Sequence, residues 1–171
     1  FCLATFRGIT QLHLGSWRQS REQLADARSR RDGLLPLLAA FPDQNIVVAP
    51  VAYAAWIELL CGREPRMWDL LRGEEEAHAR DGRLHLSAVA QAMVLATVAG
   101  KHAAALERAD VVLTSGEGRG LLPGHLDFAQ LCRSVSDIRA RPGEMAPEAM
   151  SAMWSGFEAW QTLRVLGQML A

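Results

Sequence analysis

Four glycines set the frame of this chain. Gly15, Gly62, Gly100 and Gly143 each follow an apolar helical stretch and precede a second amphipathic one, at intervals of 47, 38 and 43 residues. Intervals in this range are those of stacked helical hairpins, in which no hairpin buries its apolar face alone. Aligning the chain on these glycines supports the repeat. Seven residues before them lie Gly8, Ala55, Met93 and Ser136; eleven before lie Ala4, Val51, Val89 and Cys132. Small residues at one register let paired helices approach closely, with larger ones filling the grooves around them. After the glycine, Trp17, Ser20, Leu24 and Ala27 match His102, Ala105, Ala109 and Val112. The expectation is an all-α fold of about eight helices, an α-solenoid of antiparallel hairpins stacked into a superhelix, as a single domain over 1–171.

The helix boundaries follow from local signals. We place helices near Phe1–Leu14, Ser16–Arg31, Ile46–Cys61, Arg66–Arg80, Leu84–Ala99, Lys101–Thr114, Leu126–Arg139 and Ala146–Arg164. A short helix is allowed between Leu34 and Asp43. Ser16 and Asn45 are N-cap candidates, and Pro50 is compatible only with a first turn. Ile46-Val47-Val48 and Val111-Val112-Leu113 carry strand propensity but fall inside helical patterns. Phe1 opens inside an apolar helical stretch and Val165–Ala171 is apolar as well, so the chain reads as part of a longer polypeptide.

Composition narrows the function classes. A formal net charge of −1 gives no electrostatic basis for nucleic-acid or membrane-surface binding. The arginines from Arg18 to Arg31 are interleaved with Glu22, Asp26 and Asp32, the pattern of a solvated face with i,i+4 pairs. Three unclustered cysteines, Cys2, Cys61 and Cys132, fit a reducing cytoplasm rather than a disulfide framework. No apolar run is long enough to span a bilayer.

No catalytic constellation emerges. Gly116–Gly120 lacks the lysine and hydroxyl residue of a phosphate-binding loop and reads as an inter-helix connection. Glu74 and His78 have the spacing of two ligands on one helix face, with His85 further on, but Glu74-Glu75-Glu76 reads as an exposed acidic face. No metal and no cofactor is expected. Most of the large aromatics are assigned to the seams between helices. Tyr53 and Trp56, one turn apart on a first helix, are candidates for a partner-binding groove. Equivalent places in the following hairpins are His85, Gln91 and Met93, then Asp127, Gln130 and Arg133.

Several segments carry a resemblance. In order they are RGITQLHLGSWRQSREQLADAR from Arg7, VAPVAYAAWIELLCG from Val48, LHLSAVAQAMVLATVAG from Leu84, KHAAALERADVVLTSGEGRGL from Lys101, and MWSGFEAWQTLRVLG from Met153. Together they resemble the tetratricopeptide-like tail of large bacterial signal-transduction ATPases, some joined to an adenylate cyclase domain and others to a LuxR-type DNA-binding domain. The resemblance implies a cytoplasmic, non-catalytic regulatory domain that binds a protein, peptide or small effector. A self-association module is the alternative, and a small helical enzyme with a buried site a more distant one. The segments that would carry nucleotide binding, cyclase activity or DNA reading in such proteins are absent from these 171 residues.

Overall fold

Three helix–turn–helix hairpins close on the same hydrogen-bonded turn. A computed structural model describes residues 1–38, 45–115 and 123–140, and all regular structure among them is helical. Seven helices of 12 residues or more are described. They are α1 (Cys2–His13), α2 (Trp17–Asp32), α4 (Asn45–Leu60), α5 (Glu64–Ala77), α6 (Gly82–Val98), α7 (His102–Ser115) and α8 (Pro123–Ala140). A single helical turn, α3 (Leu35–Leu38), precedes α4. The Gly116–Gly120 loop, the turn at Gly143 and the helix expected over Ala146–Arg164 lie outside the described residues.

The three described turn glycines share one conformation. Gly15, Gly62 and Gly100 have φ of 76°, 69° and 71°. In each turn the glycine N–H donates to the carbonyl three residues back, and the next N–H donates to the carbonyl five residues back. The pairs are Gly15 to Leu12 and Ser16 to Gln11, then Gly62 to Leu59 and Arg63 to Glu58, then Gly100 to Thr97 and Lys101 to Ala96. This double closure satisfies helix-end carbonyls and requires a left-handed residue, where a Cβ is strained.

The register inferred from the glycines matches the burial. Ala4, Val51 and Val89, eleven residues before each turn, are all buried, as are Gly8, Ala55 and Met93. On the second helices, Ser20, Leu24 and Ala27 of α2 and Ala105, Ala109 and Val112 of α7 are buried. Ser16 occupies the N-cap of α2 as expected, but its side chain makes no capping hydrogen bond. Asn45 begins α4, and Pro50 sits at the sixth position, past the first turn expected for it. Ile46–Val48 and Val111–Leu113 are helical: tertiary burial of an apolar stripe outweighs the β-branched preference.

The chain divides into two compact units, Phe1–Ala88 and the residues from Val89 onward, with the division inside α6. In the first unit α1 and α2 pair, α4 and α5 pair, and α4 packs on both α1 and α2. Leu38, Val47, Val48, Leu84 and Ala88 form one of its clusters. Gly8 marks a close approach: Ser20 Oγ donates to its carbonyl at 2.7 Å, and a Cβ there would stand 2.7 Å from Leu24 Cγ. In the second unit α7 packs on α8, and Val89, Ala90, Met93, Ala109, Val112, Ala129 and Cys132 form the core.

Candidate functional site

The densest polar arrangement in the first unit is enclosed by apolar packing. On α2, the buried stripe Ser20–Leu24–Ala27 continues four residues on to Arg31. On α5, the stripe Met67–Leu71 continues to Glu74 and then His78 just past the helix end. Helical spacing therefore delivers a guanidinium, a carboxylate and an imidazole into the same interior. Arg31, Glu74 and His78 are only 3–4% exposed. This overturns two expectations: Arg31 does not belong to a solvated face, and Glu74 does not belong to an exposed acidic one. Elsewhere on α2, Arg18–Glu22 and Arg30–Asp26 are exposed i,i+4 pairs as expected, while Arg21 is half-buried and pairs with Glu58 of α4.

Every donor of Arg31 is engaged. Nη1 donates to Glu74 Oε1 and to the Val47 carbonyl at 3.3 Å. Nη2 donates to Glu74 Oε2 at 3.2 Å and to Asp32 Oδ1 at 2.7 Å, and Nε donates to Asp32 Oδ1 at 2.9 Å. Val47 lies on α4, so this bond ties α2 to that helix as well. Burial works to lower the Arg31 pKa. It is outweighed by the charge and hydrogen bonds of Glu74, then by Asp32, which hold the guanidinium above its ordinary value.

His78 Nε2 lies 3.2 Å from Glu74 Oε1, so the carboxylate has a neighbour beyond its paired bonds to Arg31. The third residue considered as a metal ligand, His85, is turned elsewhere, its Nδ1 3.1 Å from the Glu75 carbonyl. No group of three histidine, cysteine or acidic side chains suited to a metal occurs among the described residues. The cluster instead ties α2, α4 and α5 together. A fully engaged guanidinium and a carboxylate with both oxygens occupied form a buried brace, with no side positioned for a reacting group.

The groove candidates are divided between the two units. In the first unit, Tyr53, Trp56 and His85 are half-buried, and burial pushes the Tyr53 hydroxyl above its ordinary value. In the second unit, Gln91 is half-buried while Asp127, Gln130 and Arg133 are exposed on α8. Arg133 pairs with Asp110 of α7 at 3.4 Å, both side chains more than half exposed. Met93 is a correction: it is 1% exposed and packed in the core, so its thioether offers no groove surface. An open depression of about 410 Å³ at the start of α2 is lined by Gly15, Ser16, Trp17, Arg18 and Gln19. No family model, curated protein or solved structure matches this chain. Its hairpins and side chains therefore carry the functional reading.

The signal for the buried brace was present in the sequence. A polar residue that continues an apolar stripe within a helix, at i+4 or i+7, is placed inside, and Arg31 and Glu74 both do this. Their mutual pairing had no sequence signal, because residues 31 and 74 meet only through the packing of separate hairpins.

Proposed function

We propose that this chain is a tetratricopeptide-like α-solenoid segment acting as a non-catalytic binding domain of a larger bacterial cytoplasmic signalling or transcription-regulating protein. It takes a protein or peptide partner, or a small effector. The observation that supports this reading is the threefold repetition of one glycine-closed hairpin with the same residues buried at the same register. Repetition of a packing unit makes extended surface, on which half-buried aromatics such as Tyr53 and Trp56 provide rigid apolar contact area with polar tips. Binding on such a surface would change the angle between successive hairpins and so reach an attached output domain.

The test is a displayed-peptide selection on the 171-residue protein, followed by calorimetric titration of enriched peptides. The expected result is saturable binding, weakened at least tenfold by Tyr53→Ala plus Trp56→Ala, a loss of the size that buried aromatic anchors carry. Failure to enrich any peptide with saturable binding would count against the reading.

A second reading, self-association, has its own observation. Leu3 and Phe6, one turn apart on α1, are 63% and 55% exposed. Sedimentation velocity across a concentration series distinguishes it: a dimer dissociated by Phe6→Glu supports self-association, and a monomer at all concentrations excludes it.

A further inference from the structure

At the seam between the first two hairpins, two arginines from different elements meet on one carboxylate. Arg21 comes from α2. Arg63 directly follows the turn glycine Gly62, and Glu58 lies near the end of α4. Arg21 Nη2 stands 3.2 Å from Glu58 Oε1. Arg63 Nη2 donates to the same oxygen at 3.2 Å, while its Nε lies 2.6 Å from Oε2. Arg21 Nη2 also donates to Cys61 Sγ at 3.3 Å.

The charges do not balance. Two guanidiniums converge on one carboxylate, and both arginine side chains remain more than a third exposed, at 38% and 37%. Glu58 is less exposed, at 13%, so the positive groups form the rim and the single negative group the floor. Arg21 Nε is shielded from solvent without an acceptor among the described residues, and Arg63 Nε and Glu58 Oε2, though close, make no aligned hydrogen bond with each other. Unmatched donors of this kind, in a cluster carrying excess positive charge, call for an acceptor from outside. Guanidinium forks match the planar, two-oxygen edge of a carboxylate and the oxygens of a phosphate.

We propose that Arg21 and Arg63 form an oxyanion-binding subsite, with Glu58 as a built-in carboxylate that an incoming carboxylate or phosphate group joins or displaces. The position is fixed by the hairpin turn, because the closure that places Gly62 at positive φ also sets Arg63 beside the end of α4. The subsite lies within the first unit and does not require the hairpins to form a continuous groove. It stands or falls separately from the binding role proposed above.

The experiment titrates the isotope-labelled 171-residue protein with sodium phosphate and, separately, with glutarate at constant ionic strength. It follows the arginine Nε–Hε resonances by NMR. Saturable shifts at Arg21 and Arg63 are expected. Response to both probes assigns general oxyanion binding; response to one alone assigns the phosphate or the carboxylate source. Glu58→Gln, which removes the competing charge and keeps the shape, is expected to tighten binding about fivefold, the effect of one surface charge at ion-pair distance. Arg63→Ala should abolish saturation while circular dichroism reports an intact fold. A structural ion-pair network predicts the opposite for Glu58→Gln: lower stability and no gain in affinity. Shifts that are absent or never saturate in the wild-type protein overturn the proposal, whether or not Glu58→Gln folds.

Discussion

Cutting the buried brace from one side is expected to cost far more than removing it whole. Arg31→Met leaves the Glu74 carboxylate, 4% exposed, without its paired donors. The cost of stranding one partner of a buried pair is about 3–5 kcal/mol. Glu74→Leu should fall at the lower end of that range, because Asp32, itself half exposed, still accepts from Arg31 Nε and Nη2. For a chain of this size each kcal/mol lowers the melting temperature by about 2–4 °C, so either variant should melt roughly 6–20 °C below the wild type. The double variant strands no charge. Its main deficit falls on the His78 imidazole, which no longer has the Glu74 carboxylate beside it. A buried hydrogen-bonding group left short of a partner in this way costs about 1–3 kcal/mol. Urea unfolding followed by circular dichroism on all four proteins closes the cycle. A double-variant cost within about 3 kcal/mol of wild type, well below the sum of the single costs, is the expected outcome. Additive costs would refute the reasoning, since they would mean that Arg31 and Glu74 act independently rather than as a compensated pair.

Other perturbations test the packing and the turns. Gly8→Ala drives a Cβ to 2.7 Å from Leu24 Cγ and should destabilise by about 1–3 kcal/mol. The Leu24→Ala background should absorb much of that clash, giving a non-additive pair in thermal melts. Gly62→Ala meets no neighbour within 4 Å, yet its φ of +69° should make it cost about 1–2 kcal/mol. Gly62→Asn should cost less, because asparagine tolerates the left-handed region. Burial pushes the Cys132 thiol up to about 11, a rise only partly offset by its hydrogen bond with Thr97. The folded state therefore keeps a proton that the unfolded chain releases near 9.0, so stability is intact below that value and falls by up to about 2–3 kcal/mol as pH rises from there to about 11. Denaturation of Cys132→Ala over the same pH window should show a shallower decline. The Tyr53 hydroxyl, raised by burial from its ordinary 10.0, adds a loss of the same sign that begins near that pH.

The sequence by itself determined the hairpins. Glycine spacing, apolar periodicity and the lack of alternating strands located the described helices to within a few residues, because helix and turn are set by interactions within three to five positions of the chain. Small residues at fixed distances from the turns identified the close-packed face, and Gly8, Ala55, Val51 and Val89 lie where that pattern put them. Pro50 and Asn45 departed from their local preferences because α4 is buried along much of its length, and burial outweighs a capping or proline preference worth a few kcal/mol. Tertiary structure alone decided whom the enclosed charged groups meet. Arg31 and Glu74 are 43 residues apart, as Arg21 and Cys61 are 40 apart. No local rule links such positions; their energies depend on a dielectric and a geometry that exist only once separate hairpins have packed. For the same reason Met93, placed on a binding face by periodicity, belongs to the core: helical spacing gives the angle of a side chain, and only the neighbouring helices determine whether that angle faces a partner or the interior.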